Sequence, residues 1–150
     1  TRGTIGSHAY REAIKKLDGK NSVVETTCPL LVPAIEEGET SGPLVGLLIG
    51  KYLTPLKKEK IDSLVLGCTH YPIIKRQIEE FMGAKVKLID PAEEITASLA
   101  SFLEENRLLA PKNSKAKRLY FVTDLTERFI SVAEMFLGDK ISGSLRKASL

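Results

Sequence analysis

At 150 residues, with 43% hydrophobic and 27% charged side chains, the chain has the length and balance of one ordinary globular domain. Its net charge of +3 is too small to argue for a nucleic-acid partner, and the longest apolar segment, Pro43 to Leu53, is too short to span a bilayer. Two cysteines, Cys28 and Cys68, are too few for a disulfide scaffold.

Cys28, Cys68, His8 and His70 also lack the close pairing of a structural zinc site, so no metal is expected. The basic run from Lys112 to Arg118 follows Pro111 and reads as a solvated connection. With no signal-peptide pattern, the expected compartment is the cytoplasm, with neither membrane nor nucleic acid as partner. The chain opens at Thr1, without Met, on residues that read as mid-protein, which predicts a fragment.

In chain order, residues 1 to 7 read as a Gly-rich loop, with Ser7 capping a helix over His8 to Leu17. Ala9, Ala13, Ile14 and Leu17 are its expected inner face. Asp18 to Asn21 is turn chemistry, Ser22 to Thr26 a short strand, and Leu30 to Glu37 a helix stopped by Gly38. The next helix starts at Pro43 and runs to about Leu56, with Gly46 and Gly50 one turn apart for a close backbone neighbour. A strand over Ile61 to Leu66 leads into a turn, and a helix from Pro72 carries Ile74, Ile78, Phe81 and Met82 before Gly83. Val86 to Asp90 is a further strand. Pro91 opens a helix with Ile95, Leu99, Phe102 and Leu103 inward. Leu119 to Val122 reads as strand, and Asp124 caps a helix carrying Leu125, Phe129, Val132 and Phe136. Ile141 to Ala148 is a weak last strand. The alternation predicts an α/β fold with a parallel sheet flanked by helices, and a boundary near Asp90.

The chemistry-bearing stretch is Leu66-Gly67-Cys68-Thr69-His70-Tyr71-Pro72. Cys68, Thr69 and His70 fall in a strand-to-helix turn at the carboxyl end of a buried strand, the edge where open α/β sheets bind ligands. A thiol there sees the positive end of the next helix, which favours its thiolate. Hydroxyl and backbone N–H groups beside it can meet a carboxylate. Taken singly, Cys68 reads as a small buried hydrophobe and His70 as a capped, partly buried surface histidine. A polar cluster straight after a core strand has no packing reason to be there.

That stretch resembles the second cysteine signature of the aspartate/glutamate racemases, and of bacterial glutamate racemases most closely. Cys28-Pro29-Leu30-Leu31-Val32-Pro33-Ala34-Ile35-Glu36 is similar to a second family segment, as are Thr1-Arg2-Gly3-Thr4-Ile5 and Asp90-Pro91-Ala92-Glu93-Glu94. The resemblance implies that residues 1–90 are the second domain of such an enzyme and that 91–150 return toward the first. It also implies cofactor-independent racemisation of glutamate by two cysteines, one per domain, with Cys68 as the second. His70 then assists that thiol, Glu36 lies near the active site, and Thr69, Thr1 and Thr4 approach the substrate. From the residue alone Glu36 reads as well as a solvated helix-end charge. Cys28 reads as structural. The implied partner is small-molecule glutamate, with a homodimer allowed, and the implied product is D-glutamate for peptidoglycan.

A thiol suits this task, because its reference pKa of about 8.5 lies near neutrality while only a few per cent is thiolate there. The family's first catalytic cysteine region has no match in these residues, so the chain alone is expected to be inactive. Three other readings remain. One is a racemase of the same superfamily acting on aspartate or a related diacid. Another is a thiol hydrolase with Cys68 as nucleophile and His70 as base, for which the sequence names no oxyanion hole or orienting acid. The last is a non-catalytic α/β module.

Overall fold

The computed structural model describes residues 1–149, which fall into two compact units, Thr1–Ser101 and the residues from Phe102 onward. The division lies inside a helix, eleven residues after the expected boundary near Asp90.

In the first unit, α1 (Arg2–Gly6) and α2 (Ala9–Leu17) are followed by an irregular segment and then by α3 (Leu31–Glu36) and α4 (Pro43–Lys58). Strand β1 (Ser63–Val65) leads through a 3-10 turn, Tyr71–Ile74, into α5 (Lys75–Met82). Strand β2 (Lys87–Ile89) precedes α6 (Pro91–Glu105). β1 and β2 are parallel, with Leu64 opposite Leu88. The core is built by helical spacing. Val45, Ile49, Leu53 and Leu56 form one buried stripe on α4, and Ile78 and Met82 another on α5. Leu31 and Ile35 of α3 pack into the same core. Asp90, buried, accepts from the Ala92 N–H at 2.9 Å and so caps α6 just before Pro91. Gly83 ends α5 at φ +86°, a conformation that glycine adopts without strain.

Within the second unit, β3 (Tyr120–Val122) runs parallel to β4 (Leu145–Lys147), and α7 (Glu127–Leu137) lies between them in sequence. The alternation that predicted an α/β fold thus appears as two parallel strand pairs.

Several local expectations are corrected. The opening loop is α1, because the Thr1 hydroxyl accepts from the Thr4 N–H at 3.2 Å and caps the first turn. Ser7 closes α1, and His8, at φ +53°, takes the cap position of α2. Of the expected inner face of α2 only Ile14 is half-buried, whereas Ala9, Ala13 and Leu17 are exposed. Ser22 to Thr26 has no regular secondary structure and joins no sheet among the described residues, since strand pairing needs a partner in register as well as β-branched residues. No backbone approaches Gly46 or Gly50; Gly50 meets only the Phe81 ring. Thr126, not Asp124, caps α7, accepting from the Phe129 N–H at 3.1 Å. The last strand shrinks to Leu145–Lys147. Ile95, Leu99 and Phe102 of α6, expected inward, are exposed, as are Leu125 and Phe129. Periodicity marks a face as apolar without saying what covers it.

Candidate active site

The turn after β1 is shaped by its own backbone. The Leu66 N–H reaches Ile89 O at 3.0 Å, extending the β1–β2 ladder by one step, and the Gly67 N–H then folds back to Val65 O at 3.0 Å. The Tyr71 N–H bonds Cys68 O at 3.2 Å and the Ile73 N–H bonds His70 O at 3.2 Å, which starts the 3-10 turn. Pro72 needs no partner there. Cys68, Thr69 and His70 are therefore held between a sheet edge and a helix that is anchored by Ile74 and Ile78, both buried.

Within this turn the Cys68 Sγ lies 3.9 Å from His70 Nδ1, and the Thr69 hydroxyl lies 3.4 Å from the same nitrogen. His70 Nε2 meets Glu36 Oε1 at 3.1 Å, across a gap of 34 residues. Both side chains are partly open, His70 at 23% and Glu36 at 32% exposure, so the pair faces a solvent-accessible surface. The Glu36 carboxylate, when ionised, can only accept, so Nε2 carries the hydrogen. That leaves the Nδ1 lone pair facing the Cys68 thiol and the Thr69 hydroxyl together. The result is an ordered line from carboxylate to imidazole to sulfur.

Thr4 comes to the same place by another route. A side chain at Gly67 would meet the Tyr10 ring at 3.6 Å and the Thr4 methyl at 3.8 Å, so α1 and α2 rest on the residue before Cys68. Thr1 and Thr4 share a hydroxyl–hydroxyl hydrogen bond of 2.9 Å. Cys68, Thr69, His70 and Glu36 are thus brought into direct contact, Thr4 packs against the turn, and Thr1 reaches it through Thr4. Glu25, its side chain only 8% exposed, accepts from Arg11 Nε at 2.7 Å and lies 3.4 Å from His8 Nδ1, tying α2 to the segment that follows it. A cleft of about 570 Å³ opens behind the turn, lined among others by Tyr10, Val24, Cys28, Gly67 and Tyr71.

Cys28 and Tyr71 form the buried floor, and sequence reasoning had no signal for their pairing. Burial pushes the Cys28 thiol up from its ordinary range, and a hydrogen bond from the Tyr71 hydroxyl offsets part of that. The Tyr71 phenol is pushed up from 10.0, first by burial and then by the Cys28 charge. Both groups hold their protons longer when folded than when unfolded. The stability this brings is fully present below about pH 9 and is lost as pH rises beyond it. The urea midpoint should therefore fall between pH 8 and pH 10, and Cys28→Ala should flatten that fall. An equal fall in the variant would show that Cys28 plays no part.

Among the described residues no group of three or more His, Cys, Asp or Glu side chains is arranged to hold a metal ion, and no helix is long and apolar enough to cross a membrane. No family model matches the chain. It is 44% identical over 150 residues to a glutamate racemase of Geobacter metallireducens, covering all of this chain and 55% of the relative. It is 39% identical over 137 residues to one of Lysinibacillus sphaericus, covering 91% and 52%. Among solved structures, a Francisella tularensis glutamate racemase in complex with D-glutamate matches with a TM-score of 0.86 and 41% identity, over 97% of this chain and 54% of that one. A glutamate racemase isoform from Bacillus anthracis matches with a TM-score of 0.87 and 35% identity, over 100% and 55%. The chain spans about half the length of the curated relatives it matches. In sequence and in fold, then, this chain is similar to glutamate racemases over the half of their length that it covers.

Proposed function

We propose that the chain is one half of a cofactor-independent glutamate racemase and supplies the thiol that works on one face of the substrate α-carbon. The observation that carries this reading is the Glu36–His70–Cys68 line at the sheet edge of a chain similar to glutamate racemases. Racemisation takes the Cα proton from one face and returns a proton to the other, so two acid/base groups must flank that carbon. Cys68 is one of them. His70 Nδ1 accepts the thiol proton when Cys68 acts as base and returns it when Cys68 acts as acid, while Glu36 fixes the imidazole's tautomer and orientation. Thr69, Thr1 and Thr4 offer hydroxyls to the substrate's charged ends.

Glutamate is favoured as substrate because one solved relative is described as a complex with D-glutamate. The product then serves peptidoglycan synthesis in the cytoplasm, with neither nucleic acid nor membrane as partner; a homodimer is compatible with this role. Residues 1–90 correspond on this reading to the second racemase domain, and 91–150 to the return into the first. The other thiol of the chain, Cys28, is buried and held neutral, so a second base must come from elsewhere.

A chimera tests this, with these 150 residues replacing the matching stretch of the Geobacter metallireducens enzyme. The expected result is racemisation of glutamate in preference to aspartate. The isolated chain should fall short by at least about 10²-fold, the contribution of one positioned acid/base group. A folded chimera without glutamate racemisation, or an isolated chain as fast as the intact relative, would sink the reading.

A further inference from the structure

We propose that the same turn is an acyl-transfer site: Cys68 takes the acyl group from small activated esters or thioesters and passes it to water. This inference needs neither glutamate nor a second thiol, and so stands apart from racemisation. Three observations support it. The nucleophile sits on a sharp strand-to-helix turn, which holds a reacting side chain clear of its own backbone. His70 faces the thiol with Nδ1 at 3.9 Å and a carboxylate with Nε2 at 3.1 Å, which gives nucleophile, base and orienting acid in order. The backbone N–H groups of Cys68 and Thr69 donate to no oxygen among the described residues, and both lie within the turn that carries the sulfur. They are available to an oxyanion.

The steps balance without redox chemistry. The Cys68 proton moves to His70 Nδ1, and the thiolate attacks the acyl carbon, forming a C–S bond and placing negative charge on the carbonyl oxygen beside those N–H groups. Collapse breaks the bond to the leaving alcohol or thiol, which takes the proton from the imidazolium. Water then attacks the thioester, with His70 accepting its proton. The C–S bond breaks, the acid departs, and the proton returns to sulfur.

The test uses the 150-residue chain and p-nitrophenyl acetate. The expected result is a burst of p-nitrophenolate of about one per chain followed by slower turnover, with the acetyl group mapped by mass spectrometry to Cys68. Glu36→Gln should slow acylation by about 10²-fold and His70→Asn by as much or more, at unchanged folded circular dichroism. Cys68→Ser should remove the burst. Acetylation no faster than that of a free small thiol, acetyl mapped to another residue, or indifference to Glu36→Gln would overturn the proposal. The racemase activity of the chimera bears on none of these readouts.

Discussion

In the chimera, Cys68→Ala should lower kcat/KM for glutamate racemisation by about 10²–10⁴-fold, roughly 3–5 kcal/mol of transition-state stabilisation. The size of the effect follows from what the thiol is asked to do. A proton on carbon leaves only to a base already positioned within reach, and no other group in the turn can replace the sulfur. Thr69 offers a neutral hydroxyl, and His70 Nδ1 is already engaged with Cys68 and Thr69 within the turn. Glu36→Gln should cost less, because an amide oxygen can still accept from Nε2 while the charge that favours an imidazolium is lost. A Cys68→Ala chimera within threefold of its parent, assayed from both enantiomers, would mean that the proton travels by another group.

Ile74→Ala should be the most damaging substitution that leaves every polar group in place. Ile74 is 0% exposed and lies in the 3-10 turn four residues after His70, so its side chain pins the reactive turn to the core. Truncation of a fully buried Ile costs about 2–5 kcal/mol, once the transfer and cavity terms are combined. A domain of this kind has only about 5–15 kcal/mol to lose. The comparison is Leu47→Ala on α4, where the side chain is 72% exposed and the change should stay within about 0.5 kcal/mol. Urea unfolding with an unchanged m-value measures both. Equal midpoints for the two variants would contradict this account of the core.

The strand–turn–helix around Cys68 was legible because each part leaves a local mark. An apolar run ends at Gly67, a polar triplet follows, and Pro72 precedes Ile74, Ile78 and Met82 at helical spacing. The same holds for α4, whose buried stripe is written at intervals of four and three. Glu36 was different. Nothing in its immediate neighbours separates it from a solvated helix end, and only the family resemblance drew attention to it before the structure set it 3.1 Å from His70. Ser22 to Thr26 shows the limit from the other side. Its β-branched residues suit a strand, but a strand is a relation between two segments, and a one-segment signal cannot guarantee the second. The pairing of Cys28 with Tyr71, 43 positions apart, is of this long-range kind too.

Neither α1 nor α2 buries a side chain. What fastens them is the Tyr10 ring and the Thr4 methyl resting on Gly67, the half-buried Ile5 and Ile14, and the shared Glu25 carboxylate. Charge and oil thus share the riveting at this end of the molecule. Concentrated electrolyte strips exposed ion pairs but spares one whose carboxylate is sunk below the surface, as that of Glu25 is. Brine should therefore leave the leading two dozen residues seated, and Thr1 and Thr4 with them.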